Sequence, residues 1–351
     1  MRWLLSKFQA DKPVTALVND VAITVQPKET LLQAALRQGI DFPHSCRVGG
    51  CATCKCRLVE GRVKELTQAG YILSDAELDQ GYILACQSVP RGDVKVTVDT
   101  QGAAARQQVA GRVIAQDHLT HDIVRLRIQL DGTLPYKAGQ FAQLAIAGLP
   151  GVSRSYSFAT RMQPDAQVSF FVRKVPGGVF SSHIHAQALV GQSVSVEGPM
   201  GDFWLRTAEA PMLMVAGGSG LAPVLAILEE ALCAGVKRPV TLLFGARTQA
   251  DLCALDTLTE LARQWPRHFA FVPVLSQEPE GSSWQGLRGL VVDVLAEHAL
   301  SDRTFADSHA YLCGPPPMVD SARAVLLQRG LPGAHIHADR FTTQHDLAAA
   351  A

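Results

Sequence analysis

The sequence predicts three domains of different architecture: a small α/β domain around a cysteine loop, an antiparallel β-barrel, and an α/β domain with a parallel sheet. The hydrophobic pattern changes twice along the chain, which separates three blocks of different periodicity. In addition, 351 residues with 47% hydrophobic content fill more than one core. The predicted boundaries are 12–99 for the first domain, 100–109 for a linker, 110–206 for the barrel, 207–344 for the parallel-sheet domain and 345–351 for a tail.

The first domain begins with two short strands, because "VTALV" and "VAITV" flank a turn at Asn19 and Asp20. A short amphipathic helix follows in "ETLLQAALRQG", and Gly39 ends it. After the cysteine loop, Ser74 and Glu77 form the capping-box signature of a second helix. The alternating run "DVKVTVD" then predicts the closing strand.

The second and third domains differ in how their strands follow one another. Runs such as "HDIVRLRIQL" and "AQVSFFVRKV" are separated by glycine and proline turns, which is typical of an antiparallel barrel. Beyond Pro211, strand-like runs such as "VTLLFGA" and "AYLCGPP" alternate with helical runs such as "DLCALDTLTELARQW". This alternation predicts a parallel doubly wound sheet.

One uncharged stretch, residues 210–228, has the length of a membrane span. Two prolines and three glycines interrupt it, so "PMLMVA" is typical of a buried strand and "APVLAILEEAL" of a helix that begins at a proline. A membrane span requires an uninterrupted apolar helix. We therefore expect strand, glycine loop and helix here, in a protein that does not itself cross a membrane.

Composition excludes several function classes. The 32 basic residues balance 32 acidic ones, so no net charge favours binding to nucleic acid or to a membrane surface. The first residues, "MRWLLSKFQADKPV", lack the apolar core and the cleavage site of a signal peptide. We therefore expect a cytoplasmic protein, in a reducing compartment where clustered cysteines indicate metal binding or catalysis more often than disulfides.

The stretch "PHSCRVGGCATCKC" holds four cysteines that could bind zinc, form disulfides or ligate an iron–sulfur cluster. Zinc sites usually bring a second CxxC-like pair or two histidines, and no second pair follows. The spacing is instead C-x4-C-x2-C and then, after 31 residues, a lone fourth cysteine, which is the plant-type [2Fe–2S] pattern. The predicted metal ligands are Cys46, Cys51, Cys54 and Cys86. The remaining thiols of Cys56, Cys233 and Cys253 are expected to pack as small hydrophobes.

Two stretches of the barrel domain have the character of a dinucleotide site. In "RSYSFA", Arg154 and Tyr156 point to one side of the predicted strand, where a guanidinium suits a diphosphate and a flat ring suits stacking. An ordinary barrel strand explains this stretch equally well when it stands alone. In "VPGGVFSSHI", Gly177 and Gly178 precede a helix start, an arrangement that binds anions through backbone N–H groups. Two such features ahead of a nucleotide domain favour the functional interpretation.

The third domain carries two further motifs. "AGGSGLAP", residues 216–223, joins a strand to a helix but lacks the GxGxxG pattern, so alone it indicates only a backbone that approaches a phosphate. Cys313 in "YLCGPPPMV" lies at the carboxyl end of another strand, the edge where open α/β sheets bind ligands. A structural cysteine is the alternative there.

Together these motifs resemble the ferredoxin–NADP⁺ reductase superfamily, in the form with an N-terminal plant-type ferredoxin that serves bacterial multicomponent oxygenases. The likeness spans residues 14–342 and is strongest toward electron-transfer components of the xylene monooxygenase type. It implies a β-grasp-like [2Fe–2S] ferredoxin, an antiparallel β-barrel FAD domain and an α/β parallel-sheet NAD domain. Ala52 departs from the family's usual glycine, and ten residues follow Phe341. The motifs that carry the resemblance are "GRVKELT", "RSYSF", "VRKVPGGVF", "LLFGARTQADL", "SSWQGLRG", "YLCGPPPMVD" and "ADRF".

The resemblance also implies roles for individual residues. Tyr156 and Ser157 would lie at the isoalloxazine ring of FAD and act in catalysis with Cys313. The FAD diphosphate would be held by Arg154, Gly178, Val179, Phe180 and Ser181, and the flavin's other face covered by Phe341. The pyridine nucleotide would be bound by Gly218, Ser219, Gly220 and Pro223 at its phosphates and by Cys313 and Gly314 at its nicotinamide.

The implied function is electron transfer from NADH through FAD and the [2Fe–2S] cluster to an oxygenase component that hydroxylates aromatic or hydrocarbon substrates. The xylene monooxygenase likeness suggests a membrane-embedded di-iron hydroxylase as that partner. Reductases that serve a soluble Rieske dioxygenase or a deoxysugar dehydratase are alternatives, and a zinc-stabilised nucleotide-binding regulator without turnover is an alternative of another class. Arg247 would suit a 2′-phosphate, but it lacks a second nearby cation and precedes Asp251, so we expect NADH rather than NADPH.

Overall fold

The computed structural model describes residues 12–40, 42–44, 49, 53–67, 69, 73, 75–98, 106–298 and 307–342. Contacts divide the chain into two compact units, Met1–Ala103 and Ala104–Ala351. The second unit holds both the antiparallel and the parallel sheet. The predicted cap at Ser74, most of the predicted linker and the tail 345–351 lie outside the described residues.

The first unit is a mixed sheet with a helix packed against it. Its elements are β1 Val14–Val18, β2 Val21–Val25, α1 Leu31–Arg37, β3 Lys55–Glu60, β4 Val63–Glu65, α2 Asp75–Asp79, β5 Tyr82–Leu84, β6 Ser88–Pro90 and β7 Val94–Thr97. The strand order is β2-β1-β7-β3-β5 with β1 and β7 parallel, and β4 pairs separately with β6. Asn19 and Asp20 both have positive φ, which forms the predicted hairpin turn. Thr30 and Gln33 cap α1 reciprocally, and its apolar face joins the core of this mixed sheet.

A closed antiparallel sheet forms the first part of the second unit. Its elements are β8 Gln107–His118, β9 Ile123–Leu130, β10 Phe141–Ile146, β11 Ser153–Ser157, β12 Gln167–Arg173, α3 Val179–Ala186 and β13 Ser193–Met200. The order is β11-β10-β13-β8-β9-β12, and the two edge strands meet where Phe158 bridges Phe170. There the Ala159 N–H donates to the Ser169 carbonyl at 2.7 Å. The sheet thus closes on itself, as the predicted barrel requires.

The other sheet of this unit is entirely parallel. Its elements are β14 Met212–Gly217, α4 Leu221–Cys233, β15 Val240–Ala246, α5 Leu255–Gln264, β16 Phe269–Leu275, β17 Leu287–Arg288, α6 Val291–His298, β18 His309–Gly314, α7 Pro316–Gln328 and β19 Ile336–Arg340. The order is β17-β16-β15-β14-β18-β19, so the chain reverses direction across the sheet beside β14. Ligands of such sheets bind at the carboxyl ends of the strands that flank this point, here β14 and β18.

Residues 210–228 form β14, a glycine turn and most of α4, as the sequence predicts. Among the described helices, none combines the length and the apolar character that crossing a lipid bilayer requires.

Two local expectations differ from the structure. β8 begins at Gln107, inside the expected linker, because residues 107–109 already pair with β13. Cys233, expected to pack, is instead exposed as the last residue of α4. Cys253 is buried, as expected.

Three histidines meet where β18 and β19 begin. His309 Nδ1 lies 3.2 Å from His337 Nε2, and the ring of His335 stacks on His309 with centroids 4.4 Å apart. Burial and the nearby positive charges of Arg206 and Arg238 lower the pKa of His337 to about 3. Burial likewise lowers the pKa of His309 to about 4. Both rings are therefore neutral at pH 7.

We expect the free energy of unfolding to decrease as the pH falls below about 6.5, the pKa of an unperturbed histidine. The unfolded chain then binds a proton at His337 that the folded chain does not bind until the pH reaches about 3. For one such proton, the free energy of unfolding changes by at most about 1.4 kcal/mol per pH unit. Urea unfolding of the wild type and of His337→Gln at several pH values measures it. The variant should show a shallower pH dependence, the exposed-residue control His268→Gln should match the wild type, and equal slopes in all three proteins would contradict this origin.

Candidate functional site

Antiparallel pairing of β3 with β5 brings together two cysteines that lie far apart in the sequence. The backbone N–H of Cys86 points to Cys54 Sγ at 3.5 Å. Both residues are at most 5% exposed. Cys46 and Cys51 lie outside the described residues, so the complete ligand set stays a prediction.

The surroundings of these two thiols fit an iron–sulfur cluster. The donors are soft sulfur atoms, and Gln87 Nε2 points to Cys86 Sγ at 3.7 Å, as a hydrogen bond to a ligand sulfur would. Gly49 has φ +81°, and a Cβ there would lie 2.8 Å from Gln87 Cγ, so the backbone passes where no side chain fits. Cys56 is fully buried in the core of the first unit. Burial raises the pKa of its thiol to about 12, so it remains protonated and packs as predicted.

In the barrel, the strand with the predicted flavin contacts is β11. Register pairs Tyr156 with Ala142 and Ser157 with Phe141 on β10. Arg154 and Tyr156 are both partly exposed, whereas Ser153 and Ser155 are exposed and Ser157 is buried. Alternation along the strand places Arg154 and Tyr156 on one side, as expected. The ring of Tyr156 lies 5.6 Å from that of Phe180. Burial raises the pKa of Tyr156, so the ring is a neutral phenol.

The glycine turn before α3 is closely packed. A Cβ on Gly178 would lie 2.7 Å from Ser181 Oγ, so no side chain fits at this position. The buried Ser181 hydroxyl accepts a hydrogen bond from the Val175 N–H at 3.1 Å. The Phe180 side chain lies in the barrel core, whereas Val179 is 57% exposed. The side chain of Val179 is thus exposed to solvent, whereas at Gly178 and Phe180 only backbone could meet a ligand.

The predicted nucleotide loop leads from β14 into α4. Gly218–Gly220 forms a 3₁₀ turn, in which Gly218 has φ +54° and Ser219 is partly exposed. Pro223 is buried in the first turn of α4. The Leu221 N–H already donates to the Gly218 and Ser219 carbonyls and Pro223 has no N–H, so an anion at the start of α4 would meet the N–H groups that remain there.

This loop packs backbone against backbone on the end of β18. A Cβ on Gly220 would collide with the Cys313 carbonyl oxygen and come within 2.7 Å of the Cys313 carbonyl carbon and 2.9 Å of Gly314 Cα. Gly314 has φ +150°, and a Cβ on it would lie 2.8 Å from Met318 Cε. Glycine at both positions therefore permits the close approach of the loop and the strand.

Side chains from both sheets converge beside this contact. Ser157 Oγ donates to Asp339 Oδ2 at 3.4 Å, and register places Asp339 beside Cys313. The Phe341 N–H donates to the Gly314 carbonyl at 2.9 Å, and its ring packs against the core cluster that contains Cys313. Burial, and then the charge of Asp339, raise the pKa of Cys313 well above its ordinary value, so this thiol is neutral.

Two residues without a role in the sequence-based prediction belong to this region. Asp339 stands in "ADRF" two positions before Phe341, so strand alternation alone would have placed both on one side. Arg173 stands in "VRKVPGGVF", and its Nη1 atom lies 3.9 Å from the position of a Cβ on Gly218. Only the fold reveals that second proximity, because the two residues come from different sheets.

Arg247, whose guanidinium would suit a 2′-phosphate, is held by two carboxylates. Its Nη2 atom lies 2.6 Å from Asp251 Oδ1 and 2.9 Å from Asp122 Oδ2. Burial tends to raise the pKa of both carboxyl groups, but hydrogen bonds and the Arg247 charge lower the pKa of each below its ordinary value. Both carboxylates are therefore charged at neutral pH.

Comparison with known families assigns the three regions in the predicted order. A 2Fe-2S iron-sulfur cluster binding domain matches residues 15–91, an oxidoreductase FAD-binding domain residues 110–204 and an oxidoreductase NAD-binding domain residues 214–324. Fold and site thus define an oxidoreductase that uses a [2Fe–2S] cluster, FAD and NADH. The predicted fold class and cofactors are confirmed.

Similar proteins narrow this class. The chain is 41% identical over 315 residues to the xylene/toluene monooxygenase electron transfer component of Pseudomonas putida, covering 89% of each chain. It is 38% identical to the phenol 2-monooxygenase reductase component of Pseudomonas sp., covering 92% of each. The solved structure of the ferredoxin reductase in carbazole 1,9a-dioxygenase is 30% identical, with a TM-score of 0.69 over 95% of this chain and 100% of that one. The chain belongs to the family of electron-transfer reductase components of multicomponent oxygenases.

Proposed function

We propose that this reductase supplies electrons to a hydroxylase of aromatic or hydrocarbon substrates, and that its partner is a membrane-embedded di-iron hydroxylase. The observation that carries the reductase assignment is the meeting of Ser157, Cys313 and Asp339 between the barrel and the parallel sheet. The 41% identity to a xylene/toluene monooxygenase component supports the choice of partner. The domain limits 12–99 and 207–344, with the barrel domain ending at 206, are part of this proposal.

The bound cofactors supply hydride transfer and the conversion to single-electron transfer. The protein positions them. Arg154 faces the FAD diphosphate together with the backbone around Gly178, and Tyr156 stacks on the ring system. Phe341 covers the opposite side. Its place beside Gly314 and Cys313 supports this role.

The nicotinamide nucleotide binds at the carboxyl ends of β14 and β18. The loop Gly218–Gly220 and the start of α4 hold its phosphates, and the guanidinium of Arg173 adds a positive charge there. Cys313 and Gly314 form the wall beside the nicotinamide. The neutral, buried Cys313 thiol excludes water from this wall, and Asp339 holds the Ser157 hydroxyl toward the flavin edge.

In the first unit, Cys46, Cys51, Cys54 and Cys86 ligate the cluster. Two observations support this assignment: Cys54 and Cys86 lie next to each other, and the backbone at Gly49 leaves no room for a side chain. Electrons leave the chain from this unit to the oxygenase component.

The purified protein should show flavin absorbance on a broad red-brown iron–sulfur absorbance, and NADH should bleach both under anaerobic conditions. A colourless protein that contains zinc would overturn the redox function. To test the partner, the reductase is combined with a membrane-embedded di-iron hydroxylase in lipid vesicles or with a soluble Rieske dioxygenase, and NADH-dependent product is measured. Faster turnover with the dioxygenase would overturn the choice of partner.

A further inference from the structure

We infer that Asp122, a barrel residue between β8 and β9, makes this reductase select NADH over NADPH by holding Arg247 away from a 2′-phosphate. The inference rests on the proposed function, and it takes Arg247, whose guanidinium would suit a 2′-phosphate, as the residue at the adenosine end of the nucleotide site. Asp122 belongs to the flavin-binding part of the chain, so the selectivity would come from outside the NAD-binding sequence.

Asp122 is fixed in place from several directions. Its carboxylate lies 3.2 Å from Arg173 Nε and 2.9 Å from Arg247 Nη2, and it is hydrogen bonded to the Thr120 hydroxyl at 3.1 Å. Its carbonyl accepts the Lys174 N–H at 2.7 Å. The side chain is only 13% exposed. Asp122 is therefore a rigid negative charge between two arginines of different sheets.

The second carboxylate on Arg247 comes from the 3₁₀ turn Gln249–Asp251 that follows it. Asp251 accepts from Arg247 and from the Thr248 N–H, the latter at 2.9 Å, and its side chain is 9% exposed. His121, which is exposed, borders the same guanidinium at 3.3 Å. Arg247 thus has two negative charges in direct contact before any nucleotide arrives.

Charge balance then separates the two nucleotides. Asp122 and Asp251 offset the charges of Arg247 and Arg173, so the cluster of these four residues is neutral. A 2′-phosphate would add negative charge next to two carboxylates and meet no arginine of this cluster that lacks a carboxylate partner, whereas the ribose 2′-hydroxyl of NADH adds no charge. Arg173 also reaches the Gly218 loop and can serve the phosphates that both nucleotides share.

The test compares Asp122→Asn with a matched control, Asp117→Asn. Asp117 also holds two arginines of the barrel, Arg125 at 3.0 Å and Arg127 at 3.3 Å. Stopped-flow flavin reduction gives kcat/KM for NADPH and NADH in each holoprotein. In Asp122→Asn we expect kcat/KM for NADPH, divided by kcat/KM for NADH, to rise about tenfold, because one negative charge that repels the 2′-phosphate is removed. It should stay at the wild-type value in Asp117→Asn.

A double variant tests whether Arg247 is the residue that becomes available to a 2′-phosphate when the Asp122 carboxylate is removed. Adding Arg247→Ala to Asp122→Asn should return the ratio to the wild-type value or below, whereas a general structural effect would slow both nucleotides alike. Should Asp122→Asn fail to retain flavin, Asp251→Asn tests the same charge balance from the other carboxylate. An unchanged ratio in the variant that retains flavin overturns the inference. Rapid reduction of the wild type by NADH tests the reductase part of the proposed function separately, whatever the variants show.

Discussion

Replacing Cys86 with serine is expected to abolish or strongly alter the iron–sulfur spectrum, while the same change at Cys56 leaves it in place. Cys86 approaches Cys54 across the β3–β5 ladder, and its sulfur receives a hydrogen bond from Gln87. Cys56 lies in the hydrophobic core, where its thiol meets apolar neighbours. Visible absorbance, the EPR signal of the reduced protein and iron per flavin measure the outcome.

The two variants also separate the functions of the two units. In Cys86→Ser, NADH should still bleach the flavin, because the flavin and nucleotide residues belong to the second compact unit. Electron delivery to the oxygenase should be lost. Loss of the cluster in Cys56→Ser, with retention in Cys86→Ser, would show that the ligand assignment is wrong.

The sequence predicts most of the fold and the cofactor classes because these depend on local patterns. The cysteine spacing, the turn at Asn19 and Asp20 and the glycines of residues 216–223 each mark a feature within a few residues. Strand periodicity in the middle of the chain predicts the barrel that the Phe158–Phe170 bridge closes.

Contacts between distant segments are what the sequence does not reveal. Ser157 and Asp339 meet across 182 positions, and Arg247 and Asp122 across 125. No periodicity links such pairs, since each side chain merely follows the alternation of its own strand or turn. Arg247 illustrates the consequence: the sequence shows Asp251 nearby, and only the fold adds Asp122.

The second large effect is expected at the nucleotide loop. Gly220→Ala should slow flavin reduction by NADH about 100-fold, because a displacement of about 1 Å between reacting groups costs that much. Gly220 has φ −63° and ψ −10°, a conformation open to any residue, so its backbone torsions are not the obstacle. The obstacle is contact, since the added methyl would meet the Cys313 carbonyl and Gly314 Cα. The loop and the end of β18 would have to separate. The residues that bind the phosphates and those that bind the nicotinamide would then no longer be held at a fixed distance from each other.

Gly281→Ala is the matched control, because a Cβ there has no atom within 4 Å and the change lies in the same unit. It should reduce its flavin at the wild-type rate. Flavin and iron content should be normal in both variants, and dithionite should still reduce the cluster of Gly220→Ala, which locates the loss at hydride transfer from NADH. Wild-type rates in Gly220→Ala would mean that the nucleotide does not depend on this loop, and its phosphates would then have to bind elsewhere on the parallel sheet.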